Sequence, residues 1–449
     1  MKSFNKGKML LIAAALLPLT VLEANPGFSR QMDMECMACH NQTMSQLNSF
    51  GRKFAASGFT MASGEKSMID GATVKLGLPT AVNAGVLLKA KYVKTNPDEN
   101  NHGTVDTGTD RGNLEVFKVS KLFFGGKIAE NVGGFINYEY DSFGGKMVFA
   151  GEMGSGYAGV SAYMQNDFGP FSGMEYYNTG LYVPLKLFEN RKGTNAAQAT
   201  EIGHGPATGI QAYYGGDILH ITGGAYVPAT SEHEGLDIGS DMIGIGRIAV
   251  APTFGEWTIM VGAYGISGTA TLSNSALENT KPDSSSYLLD ITREAYGFDA
   301  QVEGSIGGMS TVITLNAVLH NETELYDHNN GTYVNDFDTL FADGKDFKAG
   351  DNEAFSIDAQ VNPWETFGVK VAYLKYNDKY DYRYFGTPSQ NAQQVDKWDR
   401  QEYSLGLDYS FRQNIRFGAE YTYSDYKIND QTSSHSDEDT FVLFTMIGF

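Results

Sequence analysis

Apolar and polar side chains alternate along the last part of the chain. Between residues 402 and 411 every second residue is apolar, and the residues between them are polar or glycine. The apolar set is Tyr403, Leu405, Leu407, Tyr409 and Phe411. Residues 414–424 repeat the pattern after the short interval Arg412–Gln413. Because successive side chains of a strand point to opposite faces, both stretches are predicted to be strands of one tight hairpin.

The same period of two predicts sixteen strands. Their expected ranges are 82–94, 113–125, 131–141, 157–166, 173–183, 207–216, 217–227, 240–251, 256–268, 294–304, 308–320, 353–361, 364–376, 402–411, 414–424 and 440–449. Long and short connections alternate strictly between them, as in outer-membrane barrels with short periplasmic turns and long external loops. A soluble β-sandwich would seldom have such unequal loops. We therefore predict an all-β fold, a transmembrane antiparallel β-barrel of about 16 strands over residues 71–449.

Both ends of the predicted barrel carry further information. Its first connection is long, so the first strand starts on the periplasmic side, and the segment before it is expected there or in the barrel lumen. The last strand ends in Phe449, which resembles the assembly signal of bacterial outer-membrane barrels. The 52 glycines, 26 tyrosines and 27 phenylalanines suit many twisted strands, tight turns and aromatic girdles.

The first 24 residues have the features of a secretory signal peptide. Three lysines precede an apolar run from Met9 to Leu22. A small residue, Ala24, then offers a cleavage site. The run is too short for a comfortable membrane span, so the mature chain is expected to begin near Asn25 in the periplasm. The formal net charge of −20 argues against a nucleic-acid partner.

The sequence CMACH, Cys36–His40, carries the strongest chemical signal. Two cysteines with this spacing can each form a thioether to a haem, and the adjacent histidine can ligate its iron. These are the only two cysteines in the chain, which excludes a four-cysteine zinc site and an iron–sulfur cluster within it. A disulfide or redox dithiol remains the alternative in an exported protein. We predict one covalent haem c, bound by Cys36 and Cys39, with His40 as an axial ligand.

Residues 25–70 are predicted to form a small monohaem cytochrome c segment. It is too short to bury a core by itself, and an attached haem would supply the missing apolar bulk. Leu47, Phe50 and Phe54 recur at helical spacing before Gly58, where a helix can stop. One short helix packed on the haem is therefore expected between residues 47 and 59.

Phe28–Met61 resembles the fused cytochrome–porin family of bacterial outer membranes, whose best-known branch oxidises extracellular ferrous iron. The matching motifs are Phe28–Gln31, Cys36–His40, Leu47–Gly51 and Gly58–Met61. Where many members carry an aromatic-Pro pair, this chain has Met44 and Ser45. The resemblance implies an electron conduit with ferrous-iron oxidase activity. Electrons would pass from ferrous iron or a similar extracellular reductant to a soluble periplasmic cytochrome.

The second axial ligand of the iron is predicted to be a methionine. Met61 follows the expected helix and the Gly58 turn, so the chain can fold back across a haem there, and it matches the ending of the family motif. Met44 is the rival, although it lies only four residues after His40. Other candidates are Met32, Met34, Met68 and a barrel histidine.

The expected long loops contain the remaining polar chemistry. Residues 321–352 hold Glu322, Glu324, Asp327, Asp336, Asp338, Asp343, Asp346 and Asp351. Such a loop can attract extracellular cations, or bind the divalent ions that bridge lipopolysaccharide in the outer leaflet. His102, His204, His233, His328 and His435 also fall in loops, where solvation is the expected state. Two other functions stay open: a porin whose haem segment plugs, gates or senses, and a haem enzyme such as a peroxidase.

Overall fold

The computed structural model describes residues 26–449 except 42–44, 64–67, 70–77, 80–82, 98–111, 118–119, 140–141, 230–240, 274–287, 328–331, 334–349, 381, 384–392, 395–396 and 430–433. Sixteen antiparallel strands, β1–β16, close into a barrel. They are Ala84–Pro97, Lys121–Ala129, Val132–Glu139, Ser142–Met153, Gly156–Gln165, Ala207–Gly215, Leu219–Val227, Ile243–Val250, Trp257–Ser273, Leu288–Ile306, Met309–Asp327, Gly350–Trp364, Phe367–Tyr380, Lys397–Arg412, Ile415–Asn429 and Ser434–Gly448. The predicted fold class is confirmed.

Short elements accompany these strands. Three short strands extend the wall: Asn113–Val116, Thr253–Phe254 and Thr332–Tyr333. Two separate two-stranded sheets pair Met68–Ile69 with Leu78–Pro79 and Tyr382–Arg383 with Gln393–Gln394. The helices are α1 (Pro26–Met32), α2 (Ser49–Ala56), α3 (Arg191–Thr194) and α4 (Ala196–Ala199), with 3-10 turns at Cys36–Ala38 and Pro170–Gly173. The predicted short helix is thus present as α2. No helix in the described ranges is long and apolar enough to cross a membrane.

The wall has one apolar and one polar face, as the alternation predicts. In β14, Leu405 is 52% exposed on the outside, whereas Glu402 is 3% exposed towards the lumen. Its neighbour β15 repeats this with Phe417 outside and Glu420 inside. β16 pairs with β1 along residues 438–448 and so leaves no open edge between the first and last strands. An outward apolar surface on a closed barrel is the form in which strands can span a bilayer.

The predicted set of strands contains two errors. Residues 142–153 form β4, which the pattern did not predict, because this glycine-rich stretch has little apolar–polar contrast. Residues 173–183, predicted as a strand, belong instead to a long connection folded into the lumen. The total of sixteen is correct because the two errors cancel. Strict alternation of connection length also fails, since only residues 140–141 separate β3 from β4.

The long connection between β5 and β6, residues 166–206, is here called the lumen loop. Nearly all of its side chains from 168 to 182 are buried. Its backbone is tied to the inner wall: Asn178 N donates to Gln301 Oε1 at 2.9 Å, and the Lys370 ammonium donates to the Leu187 carbonyl at 2.8 Å. Inward-pointing polar side chains of the barrel thus satisfy backbone groups that an apolar core would leave without partners.

Residues 26–63, the N-terminal segment, occupy the short-turn end of the lumen. The amide of Lys127, beside the β2–β3 turn, donates to Gln31 Oε1 at 2.9 Å, and Tyr213 Oη donates to the Ala56 carbonyl at 2.7 Å. The segment also meets the lumen loop, where the Ser45 hydroxyl donates to the Lys186 carbonyl at 2.7 Å. The barrel is therefore filled by two pieces of chain, the N-terminal segment from one end of the lumen and the lumen loop from the other.

Candidate functional site in the lumen

The CMACH sequence folds as a single tight turn. Its first three residues form a 3-10 turn, and the Cys36 carbonyl accepts from Cys39 N at 3.2 Å and from His40 N at 3.1 Å. This turn brings both thiols and the imidazole to the lining of one cavity, the thiol cavity. No disulfide joins Cys36 to Cys39 in the structure. The structure thus brings together three residues that were singled out by their spacing.

The thiol cavity is mostly apolar. It spans about 650 Å³, part of it open to solvent, and is lined by Phe28, Ser29, Met32, Met34, Glu35, Cys36, Cys39, His40, Leu47, Gly51, Phe54, Ala55 and Phe59. The rings of Phe28 and Phe59 are stacked, with centroids 5.1 Å apart, and Phe54 meets both edge-on.

One ring nitrogen of His40, Nδ1, has no hydrogen-bond partner among the described residues. This nitrogen is buried. Burial lowers the pKa of His40 to about 4, although a hydrogen bond with the Gln46 backbone acts in the opposite direction. Burial, with a smaller contribution from Cys36, raises the pKa of the Cys39 thiol to about 11. The imidazole is therefore neutral at neutral pH and can act as a metal ligand.

Asn48 and Gly51 hold the turn in place, a role that the sequence reasoning missed. The Asn48 side chain caps α2 by accepting from Gly51 N at 3.0 Å. Its Nδ2 donates to the carbonyls of Met37 at 3.3 Å and Ala38 at 3.1 Å. A Cβ on Gly51 would overlap the Cys39 carbonyl. The signal for this role was the Leu-Asn-x-Phe-Gly motif, because Asn is a preferred N-cap residue and only glycine permits such a close approach.

The candidate second ligands are not equally placed. Met32 and Met34 line the thiol cavity, whereas Met61 does not. Met61 packs against the apolar cluster that includes Met32, Phe54 and Phe59 of the cavity lining, and its carbonyl accepts from Gln31 Nε2 at 2.6 Å. Met44 lies outside the described residues, and the side chain of Met68 is likewise not described. Met61 as axial ligand stays a prediction. Met32 and Met34 are the two other candidates that the cavity lining favours.

The other polar candidates are dispersed. His204 is 7% exposed, with Nε2 2.9 Å from Asp167 and Nδ1 3.0 Å from Glu201, so the expectation that it is solvated was wrong. His435 lies in β16 rather than in a loop. Residues 321–327 of the predicted acidic loop belong to β11, and most of the remainder lies outside the described residues, as do His102, His233 and His328. Among described residues no group of three or more His, Cys, Asp or Glu is placed to hold a metal ion.

Comparison with known proteins gives matches of structure only. No family model and no curated protein matches the sequence. Among solved structures, an OmpT loop L8 deletion mutant of Vibrio cholerae matches with a TM-score of 0.43, 14% identity and coverage of 82% of this chain and 99% of that one. An anion-selective porin from Comamonas acidovorans matches with a TM-score of 0.42 and 11% identity, over 82% of this chain and 99% of that one. The DcaP channel of Acinetobacter baumannii matches with a TM-score of 0.42 and 13% identity, over 85% of this chain and 100% of that one.

Proposed function

We propose that this chain is an outer-membrane electron-transfer protein that holds one haem c inside its barrel. The observation that carries the proposal is the arrangement of Cys36, Cys39 and His40 on one apolar cavity in the lumen. A buried imidazole nitrogen without a partner is costly, and ligation of a metal would remove that cost. Two cysteines with CxxCH spacing and a neutral histidine are the donor set that haem attachment requires.

Each residue has a defined task in this proposal. Cys36 and Cys39 would hold the haem through two thioethers, and addition of each S–H across a vinyl group would need no external oxidant. His40 would supply an imidazole nitrogen to its iron, and Asn48 holds the turn that presents all three groups. The bound haem provides a one-electron redox centre. The apolar rings around it keep water away, which raises the influence of nearby charges on its potential.

The barrel supports transfer across the outer membrane. A hydrocarbon core of about 30 Å is too thick for a single electron-transfer step between the two aqueous phases, so a carrier within the wall is needed. The N-terminal segment lies at the short-turn end, which is periplasmic in barrels of this kind. We propose a soluble periplasmic cytochrome as one partner and an extracellular reductant such as ferrous iron as the other. Lipopolysaccharide of the outer leaflet would surround the barrel.

Covalent haem in denatured protein is the decisive test. Wild-type protein from cells with a cytochrome c maturation system should keep its haem absorption after denaturation and solvent extraction. Cys36→Ser and Cys39→Ser variants should lose it, while Ala38→Ser, in the same turn but without loss of a thiol, should retain it. Absence of covalent haem from the wild type would refute the proposal. Reduction by ferrous iron in reconstituted vesicles then tests the donor.

A porin is the second candidate, and the closed barrel is the observation that favours it. In that case the N-terminal segment plugs or gates the lumen. Conductance of the purified protein in planar bilayers separates the two functions. Steady ion conductance without haem reduction by an external donor supports the porin. Haem reduction in a barrel that passes little current supports the conduit, because the lumen loop and the N-terminal segment would then block solutes.

A further inference from the structure

Lys146 of β4 is a buried lysine on the inner face of the barrel wall. Its side chain is 7% exposed, and its ammonium donates to the Ser172 carbonyl of the lumen loop at 2.8 Å. Glu175 attracts this ammonium, but its carboxylate lies 2.9 Å from Arg247 Nη1. Among the described residues no carboxylate forms an ion pair with Lys146. A backbone carbonyl therefore fixes the position of this ammonium.

Three aromatic rings surround the same ammonium. Its nitrogen lies 4.9 Å from the centre of the Tyr182 ring, 5.4 Å from that of Phe135 and 5.8 Å from that of Phe59. Phe135 is directly opposite Lys146 in the neighbouring strand β3. Tyr182 belongs to the lumen loop, and Phe59 belongs to the N-terminal segment. Because ring faces attract a cation, the charge is held where the wall and both inserted pieces of chain meet.

The same rings form cavity walls. Phe59 lines the thiol cavity. Phe135 and Tyr182 line a second cavity, which adjoins the thiol cavity and shares His40 with it. Lys146 lines neither of these two cavities, so its ammonium lies behind their aromatic walls. Rings instead of water thus separate the charge from the thiol cavity, and an apolar medium screens its field only weakly.

Three other lysines, Lys89, Lys121 and Lys186, border the second cavity. Lys89 and Lys186 contact Glu189, at 2.5 and 3.2 Å. Within the described ranges, Lys146 is the lysine whose ammonium packs on a ring of the thiol-cavity lining. It is therefore the lysine from which we expect the strongest effect on that cavity.

Phe59, the ring between Lys146 and the thiol cavity, has an uncommon backbone conformation. Its φ is +65°, in the left-handed region that bulky residues seldom occupy. Its carbonyl accepts from Gln31 Nε2 at 2.8 Å, and its ring stacks on Phe28. Such a conformation persists only where the surrounding contacts hold it. The distance between the ammonium and the cavity is therefore fixed by packing.

We infer that the Lys146 ammonium makes the electrostatic potential of the thiol cavity more positive and so favours the more electron-rich state of a group held there. For a haem at Cys36, Cys39 and His40 this is the ferrous state, because reduction adds an electron to the centre. The charge would then raise the reduction potential. The effect on a haem rests on the proposed function, whereas the effect on the field in the cavity does not.

A nitrile probe in haem-free protein measures the field directly. Cyanylation of Cys39 in the full-length Cys36→Ser variant places a nitrile in the thiol cavity, and its infrared stretching frequency follows the field along the bond. Lys146→Gln removes the charge, and Lys146→Arg keeps it together with the affinity for aromatic rings. Lys427→Gln is the control, because its side chain is 52% exposed and outside both cavities. Thermal melting verifies that each variant is folded.

The haem-loaded protein, with both cysteines intact, gives the second measurement. We expect Lys146→Gln to shift the ratio of ferrous to ferric haem about tenfold towards ferric at a fixed potential, which is a fall of about 59 mV in the midpoint potential. Lys146→Arg and Lys427→Gln should stay close to the wild type. Both measurements are made at pH 6, so that the amine is protonated.

The outcomes separate charge from packing. A nitrile band that shifts in Lys146→Gln and returns in Lys146→Arg supports the inference. Equal shifts in both variants would assign the effect to packing and overturn it, as would an unchanged band in Lys146→Gln. An unchanged potential in haem-loaded Lys146→Gln would also overturn it. Should the wild type carry no covalent haem, the proposed function fails, and the nitrile measurement still decides the role of Lys146.

Discussion

Arg52 of α2 and Glu303 of β10 form a two-pronged ion pair across the boundary between the N-terminal segment and the barrel wall. Nη1 lies 2.9 Å from Oε2, and Nη2 lies 2.5 Å from Oε1. The two side chains are only 7% and 12% exposed. Arg52 also lies 5.1 Å from the centre of the Tyr177 ring of the lumen loop, so one guanidinium contacts the wall and both inserted pieces of chain.

Loss of this carboxylate should loosen the N-terminal segment. Glu303→Gln leaves the buried guanidinium without its counter-charge, and breaking a buried pair in this way costs about 3 kcal/mol. We expect faster hydrogen exchange in residues 49–56 while the barrel strands stay protected. Glu294→Gln, an exposed position on the same strand, should behave as the wild type. Equal exchange in both variants would show that the ion pair does not hold the segment.

Asn48 should be required for efficient haem attachment under the proposed function. Asn48→Ala removes the cap of α2, which costs about 1 kcal/mol, and also the hydrogen bonds to the carbonyls of Met37 and Ala38. The covalent haem per protein should fall, and protease should cut residues 26–63 more readily. Asn113→Ala, at an exposed position in the wall, is the control. Full haem content in Asn48→Ala would show that Asn48 is not needed to position the CMACH turn.

The second axial ligand can be identified from single methionine variants. Met32 is buried and lines the thiol cavity, whereas Met61 does not line it. We therefore expect Met32→Ala to abolish the sulfur-to-iron absorption band of the oxidised protein, to lower its potential and to open the iron to carbon monoxide. Met61→Ala and Met34→Ala should retain the band. Loss of the band in Met61→Ala alone would assign the second axial position to Met61, as the sequence predicts.

Docking of the lumen loop should depend on pH through His204. Burial lowers the pKa of His204, but contacts with Asp167 and Glu201 outweigh this and raise it above the ordinary 6.5. The pairing therefore contributes its full stability below about pH 6.5 and loses it as the pH rises through the folded-state pKa. The protection factors of the residue 196–206 amides, which are exchange rates corrected for the intrinsic effect of pH, should be higher at pH 5.5 than at pH 8.5. In His204→Gln the difference between the two pH values should shrink. An unchanged difference would show that another titrating group causes it.

Orientation in the membrane is testable on whole cells. A cleavable tag within residues 334–349, between β11 and β12, should be cut by external protease, because long loops face the outside in barrels of this type. The same tag between Gln413 and Asn414, in the short β14–β15 turn, should resist. Cleavage of only the second tag would reverse the orientation and place the N-terminal segment outside.

The sequence alone determined the two faces of the wall and the local chemistry of the CMACH turn. Period-two alternation is a local property, and it correctly assigned Leu405 to the outside and Glu402 to the lumen. The cysteines and His40 are adjacent in the chain, so one turn suffices to bring them together. The position of α2 followed from the spacing of Leu47, Phe50 and Phe54, and its end from Gly58, where φ is +68°.

Only the tertiary structure decided what fills the barrel. Residues 173–183 alternate like a strand, yet in the lumen both of their faces are buried, so the pattern no longer distinguishes wall from filling. Lys89 and Lys121 lie on the neighbouring wall strands β1 and β2, and Lys186 comes to the same cavity because the lumen loop packs against the inner wall. Which methionine lines the thiol cavity depends likewise on how α1 and α2 pack inside the wall. Such contacts are set by the closure of the barrel, which no local periodicity encodes.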